Sequence, residues 1–265
     1  MKYKVLVSLI VLACLSMHVG RKFYMYYSPA KEKTVYRTIQ HHDDTIRIAY
    51  IGDSWAFGHQ HHSCVIAQFI EDSLHGPVTV ESRGIGGLTS KDIYNALFET
   101  GSLKQFMKKG YNYCFISAGI NDTYKKMSTS YYQKSMECII EFLLANNIHP
   151  VIQEIPDYNI VKVYHKQKTS KKLIRQLSMV INNTPLDCKQ QFRDALDELI
   201  REKGYQDKIS IVRYKTWNND YANDLINLYI DDQMHLNERG YQLLDSVIAK
   251  EIVKHKLYFA TCHID

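Results

Sequence analysis

The sequence lacks the compositional features of several protein classes. It has only five prolines and 12 glycines among 265 residues, too few for a low-complexity or collagen-like chain. Its 33 basic and 28 acidic residues give a net charge of +5, whereas nucleic-acid-binding domains are usually far more basic. We find no internal repeat and no sign of a second domain. Because 45% of the residues are hydrophobic, the chain can build one sizeable core.

The six cysteines show no C-x-x-C pair and no spacing that is typical of a metal site. Cys114 and Cys138 fall in apolar patterns, so we expect them to be buried free thiols. The sequence leaves one disulfide open, for example between Cys188 and Cys262.

One long hydrophobic run is present, and it lies at the N-terminus. Two lysines precede an apolar stretch over residues 5–19, which is the charge pattern of an export signal. This stretch is shorter than the roughly 20 residues that span a bilayer. We therefore predict a signal peptide or signal anchor over residues 1–22 of an exported protein, periplasmic or at the cell surface. The residues up to Cys14 resemble a bacterial lipobox, in which this cysteine would be lipidated; a buried N-terminal helix is the alternative.

Residues 23–44 are polar and show no clear apolar period. We interpret them as a tether, so that any membrane association would come only through the N-terminal segment. Two histidines and two aspartates at 41–44 could be drawn as a metal site, but solvated linker residues are the simpler interpretation.

From Thr45 the pattern changes to short β-branched runs that alternate with amphipathic stretches. Predicted strands cover residues 46–51, 78–81, 113–117, 149–155 and 209–214. Helical periodicity lies at about 61–74, 90–108, 129–146, 169–181, 188–203 and 238–255. Such alternation predicts a parallel sheet with helices on both faces, whose ligands bind beyond the carboxyl ends of the strands.

Two motifs combine into a candidate for nucleophilic catalysis. Gly52-Asp53-Ser54 places a serine at a strand-to-helix turn, where its hydroxyl is exposed and the helix N-terminus favours negative charge. Asp232 and His235 are three residues apart on a predicted turn, so the carboxylate can orient the imidazole as a base. Each motif alone has a simpler interpretation, an N-cap serine and a surface ion pair.

Two further motifs also follow predicted strands. Gly119-Ile120-Asn121-Asp122 comes after the third strand, and the Asn121 side chain can donate to a developing oxyanion. A glycine-rich turn over residues 84–87 lets a backbone N–H approach a reacting carbonyl closely. A dinucleotide-binding turn is disfavoured, because Thr89 stands where the G-x-G-x-x-G spacing needs a glycine.

Together the motifs resemble the SGNH or GDSL hydrolase family, whose four sequence blocks supply a serine, a glycine, an asparagine and a histidine. By this resemblance the blocks are Gly52-Asp53-Ser54, Gly87 ahead of Leu88-Thr89-Ser90, Gly119-Ile120-Asn121-Asp122 and Asp232 to His235. The resemblance covers residues 45 to 255. It implies a flavodoxin-like three-layer α/β/α sandwich with a central five-stranded parallel sheet, a catalytic domain over residues 45–258, and no metal or other cofactor. Two departures are Trp55, where the family has leucine, and Leu236, where proline is frequent.

The resemblance also assigns roles to the motif residues. Ser54 would be the nucleophile, His235 the base and Asp232 its orienting carboxylate, with an oxyanion hole made by the N–H groups of Ser54 and Gly87 and the Asn121 side chain. We expect a serine esterase that removes acetyl or other short acyl groups from a small-molecule or glycan ester through an acyl-enzyme, with no nucleic-acid partner. Open alternatives are an O-acyltransferase acting on a cell-surface polysaccharide, a lipase or thioesterase, and a catalytically silent glycan-binding module.

A basic insert at about 158–186 follows the fourth predicted strand. No acidic residue occurs between Asp157 and Asp187, while five lysines and one arginine do. The insert leaves the sheet at the edge that carries the candidate serine, so it could cap the site and attract an anionic glycan; a solvated helix face is the alternative.

The chain has 20 tyrosines, more than a core needs. Tyr124 and Tyr158 follow predicted strands near the candidate site, and aromatic rings can stack on sugar faces. We predict that these two residues and Trp55 contact the substrate.

Overall fold

Five parallel strands form the centre of the fold. The computed structural model describes residues 2–27, 30–31, 35–62, 65–98, 101 and 103–255. The strands are β1 (Ile46–Gly52), β2 (Val78–Gly84), β3 (Tyr113–Ser117), β4 (His149–Gln153) and β5 (Ser210–Val212). Their spatial order is β2-β1-β3-β4-β5, and every neighbouring pair is parallel. The predicted five-stranded parallel sheet is therefore confirmed.

The described residues also form α-helices, of which two groups lie on opposite faces of this sheet. They are α1 (Lys2–Tyr27), α2 (Ser54–His59), α3 (Ile66–Leu74), α4 (Ser90–Phe98), α5 (Lys104–Met107), α6 (Ile120–Lys125), α7 (Thr129–Leu144), α8 (Ile160–His165), α9 (Thr169–Asn182), α10 (Lys189–Lys203), α11 (Tyr221–Asn227) and α12 (Glu238–Lys254). One layer packs α2, α3 and α12 together, and the other packs α4, α7 and α10. This is the predicted α/β/α sandwich. The basic insert forms α8 and α9.

The central strands are apolar because they are covered from both sides. All residues of β3 and β4 are buried, whereas the edge strand β2 carries partly exposed side chains. The register pairs Gly52 with Ser117 of β3 and with Gly84 of β2. The carboxyl ends of these three strands are thus level, and the motifs that follow them emerge side by side.

Some element boundaries differ from the predicted ones. The stretch predicted as one helix over 90–108 forms two, α4 and α5, and between them Gly101 adopts a positive φ of 70°. The last strand is shorter than predicted, and α3 begins later. Residues 256–258 of the predicted domain lie outside the described residues.

Part of the predicted tether packs on the domain. Ala30 is buried, and the Tyr36 ring lies 4.6 Å from the Phe142 ring. The Thr38 backbone N–H donates to Asn146 Oδ1 at 2.9 Å. This part of the predicted tether therefore contacts the domain through apolar and polar partners that are far away in sequence.

The described cysteines form no disulfide. Cys114, Cys138 and Cys188 are buried free thiols, and Cys14 is exposed; Cys64 and Cys262, with the bridge left open above, lie outside the described residues. Among the helices that the structure describes, none has both the length and the hydropathy to cross a membrane.

Candidate active site

Ser54 begins α2 immediately after β1. Here β1 runs so close to β3 that a Cβ on Gly52, whose φ is 151°, would lie 2.1 Å from the Ser117 carbonyl oxygen. Asp53 caps α2 by accepting the Trp55 backbone N–H at 3.0 Å. In this turn the Ser54 hydroxyl points to His235, with its Oγ 2.9 Å from Nε2.

Asp232 holds the other side of the His235 ring. Asp232 Oδ2 lies 2.5 Å from His235 Nδ1, and Asp232 Oδ1 accepts the backbone N–H groups of Met234 and His235, both at 2.9 Å. A neutral imidazole that donates its Nδ1–H to Asp232 presents Nε2 as an acceptor to the Ser54 hydroxyl. Ser54, His235 and Asp232 therefore form a hydrogen-bonded series of the kind that can activate a serine hydroxyl.

The loop that carries this pair is fixed from several sides. Tyr229 and Leu236 form an antiparallel bridge at its base. Between them Gln233 has a φ of 60°, and its carbonyl oxygen accepts hydrogen bonds from the Tyr221 hydroxyl at 2.9 Å and from the Asn159 N–H at 3.2 Å. These contacts hold Asp232 and His235 beside Ser54.

The charges of the pair support base catalysis. The hydrogen bond that His235 donates to Asp232 raises the pKa of His235, and burial of the ring opposes this rise. Partial burial acts to raise the pKa of Asp232, but its hydrogen bonds with the His235 ring and the two backbone N–H groups outweigh burial and lower the pKa to about 2. Asp232 stays ionised and can stabilise the imidazolium that forms when His235 accepts a proton.

Asn121 lies in the first turn of α6, just beyond the end of β3. The turn depends on Gly119, whose φ is 105° and whose added Cβ would lie 2.7 Å from Ile155 Cδ1. Asn121 Nδ2 donates to Asp53 Oδ2 at 3.3 Å. A primary amide carries two N–H bonds, so one can hold Asp53 while the other donates to a substrate oxygen.

Gly87 is tied to the Asn121 helix. Its carbonyl oxygen accepts from Lys125 Nζ at 2.7 Å, and Gly87 itself has a φ of 80°. Asp122 accepts the backbone N–H and the hydroxyl of Ser90 at 2.9 and 2.6 Å, and burial raises the pKa of Asp122 to about 6. The second and third sequence blocks are thus joined through polar contacts.

One cleft of about 640 Å³ brings the motif residues together. Ser54, Gly87, Asn121, Asp232 and His235 all line it. The basic insert adds Lys166, Lys168 and Lys171 to the same wall. In the described part of the chain, no group of three His, Cys, Asp or Glu side chains could hold a metal ion.

The comparisons with known proteins agree with this arrangement. The model of the GDSL-like lipase/acylhydrolase family matches residues 50–243. The chain belongs to this family. The resemblance drawn from the four motifs is confirmed, and no curated protein sequence matches the chain.

Solved structures share the fold of this GDSL-family hydrolase at low identity. A lipase/acylhydrolase from Enterococcus faecalis is 14% identical, with a TM-score of 0.54, covering 79% of this chain and 96% of that one. The Pseudoalteromonas esterase EstA is 17% identical, with a TM-score of 0.52 and coverages of 80% and 98%. A variant of an acetyl-xylooligosaccharide esterase from Geobacillus is 15% identical, with a TM-score of 0.53 and coverages of 78% and 94%.

Of the three aromatic residues predicted to contact substrate, the structure places one in the cleft of the hydrolase. Tyr124 lines the cleft. Trp55 is fully buried, with its ring 5.9 Å from the Trp217 ring, and Tyr158 is buried with its hydroxyl 2.7 Å from Thr123 Oγ1. The predictions for Trp55 and Tyr158 are wrong because both rings fill the core beneath the site.

The sequence did not reveal the role of Asp53 in this family member. Its buried carboxylate accepts the Trp55 N–H at 3.0 Å, the Ser117 hydroxyl at 3.0 Å and the Asn121 amide at 3.3 Å. Burial raises the pKa of Asp53 to about 6, although the hydrogen bonds from Trp55 and Ser117 oppose the rise. An aspartate just before the first residue of a helix indicates an N-cap in the sequence. The other two donors, Ser117 and Asn121, are distant in sequence and come close only in the folded chain.

Proposed function

We propose that this GDSL-family hydrolase is a serine esterase that removes acetyl or other short acyl groups from carbohydrate. The hydrogen-bonded series of Ser54, His235 and Asp232 in one cleft carries the proposal. The Asn121 amide lines the same cleft and supplies a donor for the carbonyl oxygen.

The proposed reaction passes through an acyl-enzyme. Ser54 Oγ bonds to the carbonyl carbon while His235 Nε2 takes the hydroxyl proton. The carbonyl oxygen becomes an oxyanion that accepts hydrogen bonds from the Ser54 and Gly87 N–H groups and from Asn121. His235 then gives its proton to the sugar oxygen as the carbon–oxygen bond breaks. Water, deprotonated by His235, attacks the carbonyl carbon of the ester on Ser54. His235 returns this proton to Ser54 Oγ as the bond between Oγ and the acyl carbon breaks, and the acid is released.

The wall of the cleft favours a polar leaving group. The insert adds Lys166, Lys168 and Lys171 to this wall, beside the apolar Val163 and Met234. Long acyl chains bind between apolar side chains, whereas hydroxyl-rich and acidic sugars can accept hydrogen bonds from these lysines. A relative in fold is described as an acetyl-xylooligosaccharide esterase, and its stated substrate class fits this reasoning.

Product analysis tests the proposed function. The enzyme is incubated with acetylated oligosaccharides, neutral and uronate-containing, with and without an unacetylated acceptor, and the products are identified by mass spectrometry. We expect free acetate and deacetylated sugar whether or not the acceptor is present. Transfer of acetyl to the acceptor without acetate release would favour an acyltransferase. Preference for long-chain acyl esters would favour a lipase, and failure of a fluorophosphonate to label Ser54 would favour a silent binding module.

The pH dependence of kcat/KM is a second prediction. Asp232 raises the pKa of His235 above the ordinary histidine value of 6.5. We therefore expect kcat/KM to fall on the acid side at a pH above 6.5, because His235 gains a proton there and can no longer act as a base. Asp232, with a pKa of about 2, stays ionised throughout this range. The measurement is kcat/KM for a chromogenic acetate against pH, and Asp232→Asn should move this fall to lower pH while reducing the rate. If kcat/KM of this variant falls at the same pH as that of the unchanged enzyme, the assignment of Asp232 is contradicted.

A further inference from the structure

Helix α9 of the basic insert turns an apolar face to solvent. Its exposed side chains are Leu173 (67%), Ile174 (63%), Leu177 (60%), Val180 (81%) and Ile181 (54%). With 3.6 residues per turn, this spacing gathers them within an arc of roughly 120°. Surface helices of globular domains normally bury such a stripe against the core.

The polar side of α9 faces the domain instead. Arg175 is buried, its guanidinium carbon lies 3.4 Å from the centre of the Tyr124 ring, and Nη1 donates to the Tyr124 carbonyl oxygen at 2.5 Å. Near the other end of the helix, Asn182 Nδ2 donates to the Lys126 carbonyl oxygen at 2.7 Å. These contacts fix the rotation of α9, so the outward direction of its apolar face is built into the fold.

The charge at the N-terminal end of this face indicates its partner. Lys166, Lys168, Lys171 and Lys172 occupy the loop before α9 and its first turn, and no acidic residue lies between Asp157 and Asp187. An apolar stripe bordered by lysines is typical of helices that lie in the headgroup region of an anionic membrane. Pairing with a second copy through the same face would bring two such cationic groups together, which is unfavourable.

We propose that α9 docks the domain on the surface of an anionic lipid bilayer. The apolar stripe, defined by Leu173, Ile174, Leu177, Val180 and Ile181, enters the headgroup region, and the lysines contact lipid phosphates. Lys166, Lys168 and Lys171 also line the cleft that holds Ser54, so docking places the cleft beside the membrane. This surface requires no chemistry at Ser54, and Ser54→Ala is expected to bind the same vesicles as the unchanged chain.

Quenching by brominated lipid tests the proposal residue by residue. Both native tryptophans, Trp55 and Trp217, are buried, so a tryptophan introduced by Val180→Trp reports its own surroundings. The vesicles contain phosphatidylglycerol and brominated phosphatidylcholine. We expect them to quench the tryptophan fluorescence of Val180→Trp well beyond that of the unchanged chain. Salt should weaken this quenching, and vesicles of brominated phosphatidylcholine alone should cause none. Leu173→Trp provides a second site on the stripe.

The matched control is Ile226→Trp, at an 83% exposed position of α11 outside the stripe. Because α1 also exposes apolar side chains and could itself bring the chain to vesicles, the control separates adsorption from insertion of α9. Equal fluorescence quenching in Val180→Trp, Leu173→Trp and Ile226→Trp would overturn the proposal. Light scattering without vesicles gives a second test. A dimer that becomes monomeric in the double variant Leu173→Ser/Leu177→Ser would also overturn the proposal, because a second copy of the chain would then cover the apolar face.

Discussion

Replacing Ser54 by alanine is expected to reduce kcat for a chromogenic acetate by about 10⁶-fold, the loss seen when a serine nucleophile is removed. The Ser54 hydroxyl is the group that His235 Nε2 contacts at 2.9 Å. The fold should survive, because Asp53 and not Ser54 caps α2. Steady-state kinetics measures the loss, and thermal denaturation checks the fold.

Ser73→Ala is the matched control for this prediction. Ser73 is exposed on α3, and its hydroxyl donates to the Phe69 carbonyl oxygen at 2.8 Å. The control should keep full activity and full labelling by a fluorophosphonate, whereas Ser54→Ala should lose both. Undiminished hydrolysis in Ser54→Ala would remove the nucleophile from the proposed mechanism.

Asn121→Ala is expected to lower kcat by about 10²- to 10³-fold with little change in KM, since an oxyanion donor acts mainly in the transition state. The amide also donates to Asp53 Oδ2 at 3.3 Å, so the variant loses two contacts. Steady-state kinetics on the same chromogenic acetate gives both parameters, with Asn223→Ala, an exposed position on α11, as the control.

The two roles of Asn121 can be separated by Asp53→Asn. This variant leaves the Asn121 amide in the cleft but changes its buried partner, so a kcat loss smaller than in Asn121→Ala is expected. A loss below tenfold in Asn121→Ala, with the fold intact, would show that the substrate oxygen does not meet this amide.

Local patterns were enough to predict the strands and the helix periods. Burial on both faces forces apolar runs such as residues 113–117, and the motif residues follow these runs directly. The orientation of individual side chains was not accessible in this way. Trp55 follows the nucleophile in sequence, yet it points into the core because Ser54 points out of it. Tyr36 packs on Phe142, more than a hundred positions later, and no local period announces that contact.

The apolar stripe of α9 shows the same limit more clearly. The sequence predicts a helix over 169–181, and its period would normally place the stripe inward. The contact of Arg175 with Tyr124 turns the polar side of the helix toward the domain, so the apolar stripe faces solvent. The stacking of Arg175 on the Tyr124 ring determines which side of the helix faces solvent, and this contact can be seen only in the tertiary structure.

The carboxylate of Asp53 joins three parts of the chain that arrive separately at the sheet edge: the turn that carries Ser54, the end of β3 and the first turn of the helix that carries Asn121. These hydrogen bonds hold the three parts in one arrangement beneath the cleft. The wall made by α8 and α9 has no such link to Asp53 among the described contacts; it meets the neighbouring parts where Arg175 packs on Tyr124 and where the Asn159 N–H reaches the Gln233 carbonyl oxygen. Side chains of the wall that make neither contact, such as Lys168 and Lys171, can change to suit a new substrate while the chemistry underneath is preserved.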